Sequence, residues 1–372
     1  MFSRLKRRVN LSQNGKNMTT ERPFYFVVVA ASLKAVILFV VLVGGVFFVK
    51  DKLFSSDALP SQESRADTPL PTPEVAGVSD GQNDLFPISF ESRDHAAEFR
   101  PIRKEGVYDL SLPSAHASVV MDAESGIVLQ EKNSHEERQI ASLTKLMTAL
   151  LVVERIRDLD EFVTIDEDMI TTEGTRVGCP RSGFCNGVRL HVGEEISVRS
   201  LLMAMLMNSA NDAAQSLAKH TAGSVDSFVE LMNARARALG LLDTHFCTPS
   251  GLEPDGRESS CYSSAFDIAR IASQALKYDV IWELARTPGT TIMSRDGKYA
   301  HDIFNTDVLL GEDSHLIGTK TGFTPLAGYS LLAISFDPDR QHKVVSVVLN
   351  DPERWSSIKK MFSWAFQSHY WR

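Results

Sequence analysis

Basic side chains are in deficit: 39 Lys and Arg against 47 Asp and Glu leave a formal charge of −8 over 372 residues. The chain as a whole therefore has no basic footprint for nucleic acid. Cysteine is scarce, with four in all, too few for a scaffold held by disulfides alone. The spacings of Cys179 to Cys185 and of Cys247 to Cys261 match neither a zinc knuckle nor a redox CxxC pair. None of the ten histidines stands at metal-ligand spacing. A phosphate-cradling glycine loop and an internal repeat are also missing, so neither a metal nor a cofactor is expected. What is there, 43% hydrophobic and 23% charged residues, excludes a largely disordered or collagenous chain.

Long hydrophobic runs are lacking with one exception, residues 24–49, rich in Val, Leu, Ile and Phe and broken only by Lys34. The run exceeds the roughly 20 helical residues that cross a bilayer core. Lys34 is accommodated if the span starts nearer Ala31 and the lysine stem reaches the headgroups. Residues 1–22 carry six basic groups against one acid, Glu21, whereas residues 51–372 carry 31 basic against 46 acidic side chains. Positive charge ahead of a span predicts a cytoplasmic N-terminus and an extracytoplasmic remainder. The reading is a basic arm at 1–23 and an uncleaved signal anchor at 24–50. A cleaved signal peptide is the alternative, but no small-x-small site follows the run. All four cysteines then lie where disulfides persist. Local bridges, Cys179 to Cys185 and Cys247 to Cys261, are the cheapest arrangement, and the other pairings stay open.

Residues 51–105 turn to Ser, Pro, Asp and Glu without sustained periodicity, the composition of a solvated tether. The tether holds Gly77-Val78-Ser79-Asp80-Gly81, the string of a nucleophile elbow. Such an elbow needs a strand before it and a helix after it, and a Pro-rich tether supplies neither. From 106 to 372 the pattern is that of a folded domain. Apolar runs at 117–121 and 127–130 flank a turn signal, as strand, turn and strand. Helices are expected over 142–154, apolar nearly all round and hence buried, and over 198–206, 210–221 and 224–239, the last closed by Gly240. Strands are expected over 315–322, 328–336 and 343–350. A closing helix follows, with Trp355, Ile358, Phe362, Ala365 and Phe366 on one face. Strands flanking a helical middle predict an α+β fold, with helices packed on an antiparallel sheet.

Serine followed three residues later by lysine occurs five times, at Ser3, Ser142, Ser216, Ser356 and Ser357. Only Ser142 opens a buried apolar helix, where Ser142 and Lys145 would share a face. A lysine taken out of water near another cation is pushed towards its neutral form, which accepts a serine proton. Ser209-Ala210-Asn211 follows at a helix junction and supplies a hydroxyl and an amide. Lys320-Thr321-Gly322 stands at a strand end and supplies a second cation, a hydroxyl donor and a position where a substrate backbone fits closely.

S-x-x-K, S-x-N and K-T-G in this order are the signature set of penicillin-recognising serine enzymes. Ala141-Ser142-Leu143-Thr144-Lys145-Leu146-Met147-Thr148-Ala149, then Leu206-Met207-Asn208-Ser209-Ala210-Asn211-Asp212, and Gly318-Thr319-Lys320-Thr321-Gly322-Phe323-Thr324 closely resemble the D-alanyl-D-alanine carboxypeptidase family of low-molecular-mass penicillin-binding proteins. The resemblance covers about 108–366. It implies a β-lactamase/transpeptidase-like fold, with a sheet of about five strands, helices on both faces and a mostly helical subdomain. It implies that Ser142 is the acylated nucleophile, Lys145 its base and Ser209 a proton relay. By the same resemblance Asn211 holds the substrate peptide, Lys320, Thr321 and Gly322 bind the terminal end, and the backbone N–H groups of Ser142 and Phe323 form the oxyanion hole. Arg354 matches a family carboxylate partner in position, although a solvated helix-start arginine is the plainer reading.

The implied activity is removal of terminal D-alanine from peptidoglycan stem peptides outside the membrane, with β-lactams as covalent inhibitors. Two alternatives are an endopeptidase cutting crosslinks with the same residues and a non-turnover β-lactam-sensing or wall-binding module. A class A β-lactamase fits less well, because the second motif is S-A-N rather than S-D-N.

Overall fold

The computed structural model describes residues 99–179 and 187–372. The basic arm, the apolar run, the string at 77–81 and Cys185 lie outside them. Among the described residues no helix is long and apolar enough to cross a membrane.

In chain order the elements are β1 (Pro101–Arg103), β2 (Ala117–Asp122), β3 (Val128–Lys132), a 3-10 turn at Ala141–Thr144, α1 (Lys145–Arg155), β4 (Phe162–Thr164) and α2 (Glu167–Ile170). Then come β5 (Glu195–Ser197), α3 (Val198–Met207), α4 (Asn211–Ala222), α5 (Val225–Ala238), α6 (Ala265–Ala275) and α7 (Asp279–Ala285). The chain continues through β6 (Gly289–Met293), β7 (Ala300–Phe304), β8 (Leu316–Thr324), β9 (Gly328–Phe336) and β10 (Lys343–Leu349), and closes with α8 (Arg354–Ser368) and β11 (His369–Trp371).

Five strands form one antiparallel sheet in the order β3-β2-β10-β9-β8. Successive strand residues point to opposite faces. Val120, Leu331, Ala333, Val344 and Val348 pack with Ile358, Met361 and Ala365 of α8. Their neighbours Val119, Met121, Leu332, Ile334, Val345 and Val347 join the larger core, with α1 and α6. Helices thus cover both faces, as the resemblance implies. Helix α1 is buried from Lys145 to Val152, and each Leu or Val so buried stabilises the fold by about 1.5–3 kcal/mol.

Helix ends follow local chemistry. Ser197, Ser224 and Ser264 each cap a helix by accepting from the backbone N–H three residues on, and Gly240 takes φ +65° just past α5. Part of the stretch read as tether takes part in the fold. Pro101–Arg103 pairs with His369–Trp371, with the proline at the first strand position, where its missing N–H is tolerated. Two further small sheets, β4 with β5 and β6 with β7, flank the helical region.

Candidate active site

Ser142 sits in the 3-10 turn and the α-helix starts only at Lys145, so the expected helix is divided at its first turn. In a 3-10 turn residues i and i+3 eclipse, which brings Lys145 Nζ to 2.9 Å from Ser142 Oγ. Lys145 is 0% exposed. Its amine also donates to Asn211 Oδ1 at 2.7 Å and to the Ser250 carbonyl at 2.7 Å. Both of these partners only accept. They engage N–H bonds of the amine, whereas Ser142 is a hydroxyl that can accept or donate. In the neutral amine a lone pair is available to the Ser142 O–H.

The Ser250 carbonyl comes from a loop that sequence reasoning did not connect to the site. The Cys247–Cys261 disulfide, with Cα atoms 5.5 Å apart, closes this loop. Thr148 Oγ1 of α1 donates to Pro249 O at 2.7 Å. Gly251, at φ +80°, lies so close to the serine turn that a Cβ there would be 1.9 Å from Ala141 O. The approach of Ser250 to Lys145 is a tertiary fact with no local sequence signal. Cys179 is also disulfide-bonded, and its expected partner Cys185 lies outside the described residues.

Across the cleft, Ser209 links α3 to α4 with φ +61°, a left-handed conformation that costs a non-glycine residue about 1–2 kcal/mol. The conformation aims Ser209 Oγ at Lys320 Nζ, which donates to it at 3.1 Å. Lys320 is buried in β8. Thr321 Oγ1 pairs at 3.0 Å with Thr306 Oγ1, which donates to Met207 O at 3.2 Å. Thr306, also missed in the sequence, thereby ties the K-T-G strand to the end of α3.

In the structure both ends of the Asn211 amide bond within the protein. Its Oδ1 holds Lys145 and its Nδ2 donates to Glu173 O at 2.7 Å, so the amide positions the proposed base. Gly322 also has a reason other than the one expected. A Cβ on it would be 2.8 Å from Ile140 O and 3.3 Å from Leu143 Cγ, so the bare backbone lets β8 lie against the serine turn itself. Arg354 is not a solvated helix start. Its Nη1 donates to Gly322 O at 3.2 Å and its guanidinium lies 5.0 Å over the Tyr329 ring, which turns it onto the cleft.

The cleft has a volume of about 580 Å³, and Ser142, Ser209, Asn211, Thr321, Phe323 and Arg354 line it. Arg176 and Arg189 line it too, from a segment the sequence left undefined. Next to Asn211, Asp212 is buried and its carboxylate accepts from Val177 N at 3.0 and 3.1 Å. Burial pushes its pKa up to about 6, against the lowering by the Val177 and Ala213 N–H groups and by Arg176.

Residues 109–353 match the family model described as D-alanyl-D-alanine carboxypeptidase, peptidase S11. The chain belongs to this family. Among curated relatives, D-alanyl-D-alanine carboxypeptidase DacF of Bacillus subtilis is 32% identical over 68% of this chain and 63% of its own length. DacA of Escherichia coli is 32% identical over 68% of this chain and 61% of its own, and a D-alanyl-D-alanine endopeptidase of Pseudomonas aeruginosa is 34% identical over 58% and 65%. The chain thus spans under two thirds of the length of these carboxypeptidase relatives. Among solved structures, the D-alanyl-D-alanine carboxypeptidase of Mycobacterium tuberculosis superposes with a TM-score of 0.62 at 29% identity, over 72% of this chain and 96% of that one. The Streptomyces K15 DD-transpeptidase gives 0.61 at 29%, over 70% and 100%. Family membership accounts for the joint occurrence of the three motifs around one cleft, which composition alone did not require.

Proposed function

We propose that the domain at 106–372 is a serine D,D-carboxypeptidase that removes the terminal D-alanine of peptidoglycan stem peptides through an acyl-enzyme on Ser142. The observation that carries this reading is the 2.9 Å contact of Ser142 Oγ with Lys145 Nζ, which also donates to the Asn211 and Ser250 oxygens. As Oγ attacks the carbonyl carbon of the penultimate D-alanine, the neutral amine receives the hydroxyl proton. The oxyanion forms against the N–H groups of Ser142 and Phe323, donors of a kind worth on the order of 3 kcal/mol each. The C–N bond then breaks, and the proton taken up by Lys145 passes through the Ser209 hydroxyl, in contact with Lys320, to the departing amine, which leaves Ser209 as a hydroxyl and the Lys145 amine neutral again. Lys320, Thr321 and Arg354 hold the terminal carboxylate. Water attacks the Ser142 ester, releases the shortened peptide and restores the hydroxyl. A β-lactam enters the same first step and stays as the ester.

The same proposal sets this domain outside the membrane, tethered through the stretch from 51 to just before β1 to a single span at 24–50 with the basic arm in the cytoplasm. The charge asymmetry across the apolar run supports it.

The full-length chain, incubated with a peptide ending in D-Ala-D-Ala, is expected to release D-alanine, and Ser142→Ala is expected to release none. Release by Ser142→Ala at the parent rate would overturn the nucleophile. Penicillin labelling without D-alanine release from the parent would instead leave a sensing module. Faster cleavage of crosslinked dimers than of monomeric peptides would shift the assignment to the endopeptidase reading, which the Pseudomonas relative's name supports.

A further inference from the structure

The proposed function uses the cations on the sheet side of the cleft, Lys320 and Arg354. It does not use Arg176 and Arg189, which line the same cleft from the helical side. Among the described residues that line the cleft three are arginines and none is Asp or Glu, so its field favours more negative charge than one leaving carboxylate supplies.

The two arginines stand on a built wall. Arg176 O accepts from Asn208 Nδ2 at 2.9 Å, and Thr175 O accepts from Asn211 N at 2.7 Å. Val177 N donates to the buried Asp212 carboxylate. The wall is thus bonded directly to the junction that carries Ser209 and Asn211. A Cβ on Gly178 would be 2.1 Å from Val188 O, so the strands of chain bearing Arg176 and Arg189 are pressed together. Arg176 Nε donates to Thr172 O at 2.8 Å, and its charge also acts on the buried Asp212 carboxylate. Arg189 Nε donates to Cys179 Sγ at 3.2 Å, which lays that guanidinium along the same wall. Two guanidinium groups on one fixed surface suit a carboxylate, which takes paired N–H donors.

We propose that Arg176 and Arg189 form a second anion subsite, which reads a side-chain carboxylate on the residue preceding D-Ala-D-Ala in the stem peptide. The inference rests on the carboxypeptidase reading. In that reading the leaving D-alanine brings one carboxylate, held on the sheet side, and the acyl-donor part of the peptide is what remains for the helical wall. A diamino acid with a free distal carboxylate, such as meso-diaminopimelate, has the required chemistry. The same residue with that carboxylate amidated does not.

The test compares the full-length chain on two peptides that differ only there, one with the free carboxylate and one with the carboxamide before D-Ala-D-Ala. The parent is expected to prefer the carboxylate peptide by about tenfold in kcat/KM, the scale of one charge-assisted contact, and the preference should shrink as ionic strength rises. In Arg176→Ala/Arg189→Ala the ratio should fall to near one. The single variants Arg176→Gln and Arg189→Gln should each lower it, which covers the case in which the double variant fails to fold. Arg295→Ala, an exposed arginine paired with Glu195 away from the cleft, should keep the parent ratio. Equal turnover of both peptides by the parent, or an unchanged ratio in the arginine variants, overturns the subsite while the proposed function stands. Absence of D-alanine release from either peptide removes the proposed function, and the subsite with it.

Discussion

Replacing Gly251 by alanine separates two costs that the structure keeps distinct. At φ +80° any L side chain is strained, and here the new Cβ would also lie 1.9 Å from Ala141 O and 2.6 Å from Thr144 Oγ1. Gly193 has a similar φ of +83° but nothing within 4 Å of its Cβ position, so Gly193→Ala carries only the backbone term, about 1–2 kcal/mol. Gly251→Ala adds the displacement of two packed backbones, for a total of about 2–5 kcal/mol. The displacement also has a chemical consequence, because Ser250 O is one of the two acceptors that orient the Lys145 amine. Weakening that bond, worth about 1–3 kcal/mol when buried, should slow acylation of Ser142 by about 10- to 100-fold. Urea denaturation would give the stability loss for both variants, and the rate of labelling by a fluorescent penicillin would give the chemistry. Gly193→Ala is expected to label at the parent rate. Parent-rate labelling by Gly251→Ala would refute the argument that this loop positions the base.

Other expectations follow from the same contacts. Lys145→Arg should abolish penicillin labelling although it keeps the positive charge, because guanidinium does not give up its proton at working pH; a labelled variant would move the base elsewhere. Asp212, with its pKa raised to about 6 from 3.8, binds its proton more tightly in the folded state. Its contribution is therefore fully present below about pH 3.8 and lost as the pH rises through about 6. Asp212→Asn should flatten the dependence of stability on pH over that window, as thermal melts would record, and an unaltered profile would contradict the burial. Cys247→Ser/Cys261→Ser should lower stability by about 3 kcal/mol and also slow labelling, since the loop it frees carries Ser250; full labelling would separate the disulfide from the site.

The sheet was legible where short apolar runs met turn signals, as in β2, β3, β9 and β10. Helices α3 to α5 were legible from their apolar spacing and end residues. The hairpin of β6 and β7 was not read, although Asp296-Gly297 is a hairpin turn signal. The pairing of Pro101–Arg103 with His369–Trp371 joins the two ends of the domain and leaves no local trace. Ser142, Lys145, Ser209, Asn211 and Lys320, which the structure brings together, were legible as candidates because their chemistry sits in side chains at motif spacing. Ser250 acts through a carbonyl and Gly251 through the absence of a side chain, so residue type alone carries no signal for either. Arg354 stayed open between a carboxylate partner and a helix-start charge, because its turn onto Gly322 depends on the sheet lying beside the start of α8. The packing of Gly322 against the serine turn was not legible, because it depends on how β8 lies against residues far away in sequence.

On the proposed function Ser142 is the residue acylated, activated by the amine of Lys145. The most direct measurement is peptide mapping by mass spectrometry of the full-length chain after exposure to a penicillin. The account predicts one adduct, on the peptide that contains Ser142, absent from Ser142→Ala and from Lys145→Arg. An adduct on any other residue, or an unmodified Ser142 in folded protein, would contradict it.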